Sequence, residues 1–346
     1  MNSGRVGRDG RDGRDGGRVT RYASCVALAC ALMWAGPATA QQSHLLIITG
    51  SAGTPTHSQQ FHEWSTKLML AATTKHGMAA SNVVYLSEKP ELGGGNAGRS
   101  TREAVEKAFT DLVARSSPSD AVLIVLIGHG SAEGGEARFN LPGPDLNAKD
   151  YQRLLEKLPG RKIGFVNTAS ASGAFLPVLT GAGRVVVTAT RSGMERNETV
   201  FANHFVAAYT GDGADTDKDN KVSLLEAYNY AAREVERWYN EQNRLLTEHA
   251  QLDDDGDGKG VSKPDGRQGD GLVARAHWLA GAPAAVASNP ELRALYDEKK
   301  QLEEKVATLR TMKASMEPAL YERELEKLLV ELAEKSQRIR QLEARK

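Results

Sequence analysis

"KIGFVNTASASGAF", Lys162 to Phe175, decides how the chain is read. Its first half is a short apolar run. Its second half is built from residues with almost no side chain, and Gly173 follows Ser170 and Ser172. Apolar and then small is the pattern of a buried strand whose carboxyl end lets something come close to the backbone. Four other runs share the apolar, β-branched character: His44 to Thr49, Asn82 to Leu86, Ala121 to Gly128 and Arg184 to Thr190. Because they are continuously apolar rather than alternating, they predict strands buried on both faces. Helical patterns fill the gaps. Phe61, Trp64, Leu68 and Ala71 recur at spacings of three and four, and Ser100 to Glu103 reads as a capping box at the head of "STREAVEKAFTDLVA". Strands alternating with helices predict a mostly parallel sheet covered on both sides, an α/β/α sandwich.

In such a sheet, ligands gather beyond the carboxyl ends of the strands. "LIVLIGHGS" places His129, Gly130 and Ser131 at that edge, and the opening stretch places Ser170, Ser172 and Gly173 beyond the next strand. One crevice therefore receives a histidine and a serine. Together, "GHGS" and "NTASASGAF" resemble the legumain and caspase class of cysteine peptidases. In that class the histidine stands in a His-Gly pair, and the nucleophilic cysteine follows the next strand in an Ala-Cys-x-Ser-Gly pattern. Ala169-Ser170-Ala171-Ser172-Gly173 matches position by position, with Ser170 in the place of the cysteine. The resemblance runs from about Ser43 to Tyr209. It implies a caspase-like fold, a peptide or protein as ligand, His129 as general base or acid, and an oxyanion hole made by the N–H groups of Gly130 and Ser170.

Serine in place of cysteine changes the chemistry. A thiol is partly ionised near neutrality and is intrinsically nucleophilic, whereas a serine hydroxyl needs a close base that a third group orients. Glu133, Glu136 and Asp145 follow His129 in a loop, but the sequence does not aim them. Two readings stay open: a catalytically impaired peptide-recognition or scaffold module, and a hydrolase with a Ser170/His129 dyad acting on a peptide or ester. His57 and His62 lie five apart, off one helical face, so a shared metal is not expected.

A helix from Val200 to about Tyr209 leads into "DTDKDNKVSLLE". There Asp215, Asp217, Asp219, the Lys221 carbonyl, Ser223 and Glu226 occupy positions 1, 3, 5, 7, 9 and 12 of an EF-hand-type loop. Calcium favours six to eight hard oxygens, so Ca²⁺ is the expected cofactor. Asn220 stands where glycine is usual. A long amphipathic helix is expected to follow and to end near Ala250. After it comes an acidic, glycine-rich loop whose Asp253, Asp255 and Asp257 form a weaker second set.

The 44 basic and 44 acidic residues cancel, so no net field draws the chain to nucleic acid or to an anionic membrane surface. Residues 1–40 read as a secretory signal, with "RVTRY", an apolar run too short to span a bilayer, and "ATA" before Gln41. The expected protein is therefore exported, periplasmic or secreted. Cys25 and Cys30 both fall in this leader, which leaves no thiol after its removal; a lipid anchor at Cys30 is the lesser alternative. The layout expected is a domain at 43–210, the calcium loop, long helix and acidic loop at 211–280, a linker at 281–290 and a helical tail at 291–346. In that tail Leu292, Leu295, Leu302, Val306 and Leu309 keep heptad-like spacing, and Leu325, Leu328, Leu332, Ile339 and Leu342 repeat it after Pro318. This predicts a helical hairpin or coiled coil, open to self-association or partner binding.

Overall fold

The computed structural model describes residues 42–93, 97–134, 136–158, 162–219, 221–277, 279 and positions within 291–309 and 316–343. The expected leader at 1–40, the expected linker at 281–290 and Asn220 lie outside the described residues.

Along the chain come β1 (Ser43–Thr49), α1 (Pro55–Thr74), β2 (Val83–Ser87), β3 (Gly98–Arg99), α2 (Arg102–Arg115) and β4 (Ala121–Ile127). Then follow β5 (Gly130–Glu133), β6 (Glu136–Phe139), β7 (Leu146–Asn147), α3 (Ala148–Leu155), β8 (Lys162–Asn167), α4 (Leu176–Leu179) and β9 (Arg184–Thr188). The last elements are α5 (Phe201–Thr210), α6 (Leu224–Glu241), β10 (Gln251–Asp253) and α7 (Pro318–Glu343). The main sheet has the order β10-β9-β8-β4-β1-β2-β3. It is parallel except at its edge, where β10 runs antiparallel to β9.

Successive side chains of a strand point to opposite faces, and the two faces bury different helices. Leu45 and Ile47, with Leu123, Val125 and Val166, pack on α1, α5 and α6 through Phe61, Leu68, Phe205 and Tyr228. Leu46 and Ile48, with Val122, Ile124 and Phe165, pack on α2, α3 and α4 through Phe109, Leu112, Tyr151 and Leu179. That double coverage explains the unbroken apolar runs: each such side chain, fully buried, contributes about 1.5–3 kcal/mol. The result is a three-layer α/β/α body with a mostly parallel sheet. Helix α6 and strand β10, both beyond Tyr209, are built into it.

Local chemistry sets the helix starts. Thr54 caps α1 and accepts from the His57 N–H, with Pro55 in the first turn. Asn147 and Asp150 form a capping box on α3. The box expected at Ser100 to Glu103 is displaced by one residue: Thr101 caps α2 and accepts from the Ala104 N–H, while Ser100 is buried. The long helix expected to reach Ala250 stops at Glu241, where Asn243 takes a left-handed conformation (φ 52°) that asparagine tolerates. The acidic stretch expected to be all loop begins as edge strand β10, with Leu252 opposite Val187. Likewise Glu133 and Glu136, expected in a loop, lie on a small antiparallel sheet of β5, β6 and β7, whose short charged strands carry no clear hydrophobic period.

Pro318 is the first residue of α7. Lys335 of this helix lies 2.5 Å from Glu298, and Arg338 lies 2.8 Å from Glu291. Among the described residues no helix is long and apolar enough to cross a membrane.

Candidate functional site

Chain order reverses across the sheet between β1 and β4, and such a switch point opens a crevice beyond the strand ends. His129 stands there, directly after β4. It is half-buried in a cleft lined by Phe61, Trp64, Gly128, Thr168, Glu198, Thr199 and Ala202. Its ring meets Phe61 edge-on at 5.3 Å and His57 at 5.0 Å. Burial, reinforced by repulsion from His57, pushes His129 below the ordinary imidazole range, against the pull of the Ala52 carbonyl and of Glu198 and Glu88. The imidazole is therefore neutral at pH 7, the form that can accept a proton.

His57 lies with Nδ1 3.3 Å from the Ala52 carbonyl and Nε2 2.9 Å from Glu198. His62 points elsewhere, to the Tyr85 hydroxyl at 3.2 Å. Glu198 and the Ala52 carbonyl were not singled out from the sequence, and His57 was weighed there only for a metal shared with His62, not as a neighbour of His129. The available signal was "GTPTH", which puts His57 in the first turn of the helix that follows the β1 loop at the switch point. No carboxylate hydrogen-bonds to His129 among the described residues. Glu136 instead holds Arg138, and Asp145 accepts from the Leu141 N–H.

Ser170 follows β8 and is 6 % exposed. Its Oγ donates to the Gly130 carbonyl at 3.0 Å and accepts from the Gly130 N–H at 3.3 Å. Among the described residues it makes no hydrogen bond with His129, and the Ser170 N–H meets no acceptor. One of the two N–H groups expected to form an oxyanion hole thus points at the serine side chain itself. The contact is close: a Cβ at Gly130 would lie 2.5 Å from the Ser170 carbonyl oxygen.

The rest of the small stretch serves packing more than ligand approach. Ser172 Oγ and Thr190 Oγ1 are 3.2 Å apart, Thr190 Oγ1 accepts from the Gly173 N–H (2.9 Å), and the Ala171 N–H donates to the Glu195 carbonyl (2.8 Å). A Cβ on Gly173 would fall 2.2 Å from the Arg191 carbonyl carbon. The small side chains therefore admit the chain that follows β9, which modifies the expectation that they open backbone donors to a substrate.

The second constellation joins α5 to α6. The carboxylates of Asp215, Asp217 and Asp219 bring ligand oxygens within 4.8 Å of one another. The Asp219 N–H donates to Asp215 and Asp217 (3.2 Å each), and the Lys221 N–H donates to Asp219 (2.8 Å). Ser223 caps α6 in a capping box with Glu226. The other Glu226 oxygen spans the loop and accepts from the Thr216 N–H at 2.8 Å. Burial opposes its ionisation, but hydrogen bonds from Ser223 and Thr216 hold the carboxyl below the usual range, so it is charged at neutral pH. The carboxylate oxygens of Asp215, Asp217, Asp219 and Glu226 and the Ser223 hydroxyl are hard oxygens, the ligand set that suits calcium.

No protein-family model matches the chain, and no curated protein matches it in sequence. Among solved structures, one protein from Geobacter sulfurreducens is similar over 61 % of this chain and 92 % of its own, at 11 % identity and a TM-score of 0.40. The Drosophila initiator caspase Dronc is similar over 64 % of this chain and 82 % of its own, at 12 % identity and a TM-score of 0.41. At this level of likeness the functional argument rests on the chain's own residues.

Proposed function

We propose that this chain is an exported protein of the legumain and caspase class that recognises a peptide or protein segment at the switch-point crevice without cleaving it efficiently. A calcium ion at Asp215 to Glu226 stabilises it, and the helical tail is available for self-association or a partner. The observation that carries the reading is the state of Ser170: its hydroxyl is engaged by both backbone groups of Gly130. A serine nucleophile has to hand its proton to a base within hydrogen-bond reach, and that base has to be held by a third group. Here the hydroxyl donates to a carbonyl, and among the described residues no carboxylate hydrogen-bonds to the His129 imidazole to orient it. The free Ser170 N–H is the group that would receive a peptide carbonyl.

The competing reading, a Ser170/His129 hydrolase, draws on the neutral, half-buried His129. Fluorophosphonate labelling and peptide cleavage by the wild type and by Ser170→Cys separate the two. The recognition reading expects no label on Ser170 and peptidase activity that rises on the order of a hundredfold in Ser170→Cys, because a thiolate needs less help. Labelling that Ser170→Ala and His129→Ala both abolish would establish the hydrolase instead.

A further inference from the structure

A second group of acids lies outside the crevice and outside the Asp215 to Glu226 loop. Asp253 ends β10, Asp255 follows it, and Asp270 returns from the far end of the acidic, glycine-rich segment; one carboxylate oxygen of each lies within 4.8 Å of the others. The sequence suggested Asp253, Asp255 and Asp257. The fold replaces the last with Asp270, while Asp257 turns aside, accepts from the Lys259 N–H at 2.7 Å and lies 3.6 Å from its ammonium.

A reciprocal clasp brings Asp270 in. Asp254 accepts from the N–H groups of Gly271 (2.8 Å) and Ala274 (2.7 Å), and Asp270 accepts from the N–H groups of Asp254 (2.8 Å) and Asp255 (3.3 Å). The clasp accounts for the position of the loop but not for the state of Asp253. That residue is 0 % exposed, and its Oδ1 accepts from the Thr180 hydroxyl at 2.9 Å and from the Gly256 N–H at 3.3 Å. Among the described residues its buried Oδ2 has no hydrogen-bond partner. Among the described residues no lysine or arginine pairs with Asp253, Asp255 or Asp270. Burial, with mutual repulsion among the acids, raises the carboxyls of Asp253 and Asp270, the latter to about 6. A buried carboxylate oxygen with neither donor nor cation, inside a ring of like charges, is the environment a bound cation relieves.

We infer that Asp253, Asp255 and Asp270 bind a hard divalent cation, calcium, at the edge of the sheet. Carboxylate oxygens on a glycine-rich loop fit calcium's flexible coordination better than the strict octahedron of magnesium. The ion would fasten β10 and the loop after it to Thr180, which follows α4 and so the chain carrying Ser170 and Ser172. The inference does not depend on the first loop.

Isothermal titration of the full chain with calcium chloride at neutral pH, after treatment with chelator, tests it. The Asp217→Asn variant removes the first loop from the count. In that background one calcium ion is expected to bind, and Asp255→Asn or Asp270→Asn is expected to abolish the binding. Asp255 is exposed, so its variant is expected to fold; a melt in chelator checks this and should show Asp255→Asn at least as stable as its parent, because a repulsive charge has gone. Calcium binding that Asp255→Asn and Asp270→Asn both leave unchanged, or no binding in the Asp217→Asn background, overturns the inference. So does a gain in melting temperature for Asp270→Asn that is equal with and without calcium, which would mark a cluster of protonated acids. Equal stoichiometry in wild type and Asp217→Asn would count against the first loop alone.

Discussion

The switch-point crevice and the acidic edge of the sheet treat their polar groups in opposite ways. Beside the crevice the hydroxyls after β8 are answered by the chain itself, although the Ser170 N–H is not: Ser170 Oγ takes both backbone groups of Gly130, and Ser172, Thr190 and Gly173 bond to one another. At the edge, Asp253 keeps a buried oxygen without a donor beside two further carboxylates. A hydrogen bond closed within the fold costs nothing further in solution, whereas an unanswered buried charge makes the region depend on what the solvent supplies. The crevice should therefore be indifferent to dissolved cations and the edge should not.

The largest effect expected is from Gly173→Ala. The new Cβ would lie 2.2 Å from the Arg191 carbonyl carbon and 2.3 Å from the Ser192 nitrogen, backbone atoms that cannot rotate away. A loss of about 3 kcal/mol in denaturant unfolding is expected, the same in calcium and in chelator. A cost that changes with calcium would erase the contrast between the two regions.

Glu248 sharpens the comparison, because it is as buried as Asp253 but answered. Its oxygens accept from the N–H groups of Val200 (2.8 Å) and Phe201 (3.3 Å) at the head of α5. Burial nevertheless raises its carboxyl from 4.5 to about 7. The fold thus prefers the neutral form, so its contribution to stability is fully present below about pH 4.5 and is lost as the pH rises through 7, a span of roughly 3 kcal/mol. Glu248→Gln, which keeps an accepting oxygen, should flatten that slope in unfolding measured across the range. An unchanged slope would mean that two backbone donors are enough to offset burial.

Calcium itself ranks next. At about 100 times its dissociation constant, one bound ion adds about 2.7 kcal/mol if it binds only the folded state. Chelation should lower the melting temperature, and Glu226→Ala should remove the share that belongs to the Asp215 to Glu226 loop. If melting ignores both calcium and chelator, the edge is as self-contained as the crevice. Thr190→Val gives the smallest effect, roughly 2 kcal/mol, because it strips a partner from the Gly173 N–H and from Ser172. This loss too should not vary with calcium.

The strands were legible because each is covered on both faces, so "AVLIVLI" and "KIGFVN" are apolar without interruption. Helix α1 was legible for the complementary reason, since Phe61, Leu68 and Ala71 face one layer. Short or charged elements escaped notice. β5, β6 and β7 are too brief to show a period, and β10 is hidden by the aspartates it introduces. His129 and Ser170 could be placed at one sheet edge from their positions after two neighbouring strands. That the serine bonds to Gly130, and that His57 faces His129, depended on how the strand ends meet.

Local order along the chain determined whatever rests on neighbours in sequence: the alternation of strand and helix, the acids at every second position from Asp215 to Asp219, and the ends of the parallel strands where His129 and Ser170 stand. Tertiary structure alone decided whatever rests on residues far apart. It set Glu198 against His57, closed the acidic loop with Asp270 rather than Asp257, and left one oxygen of Asp253 without a donor. The physical reason is that a pattern in sequence reports which faces are apolar, while hydrogen bonds and burial are settled only when distant backbone segments come within about 3 Å of each other.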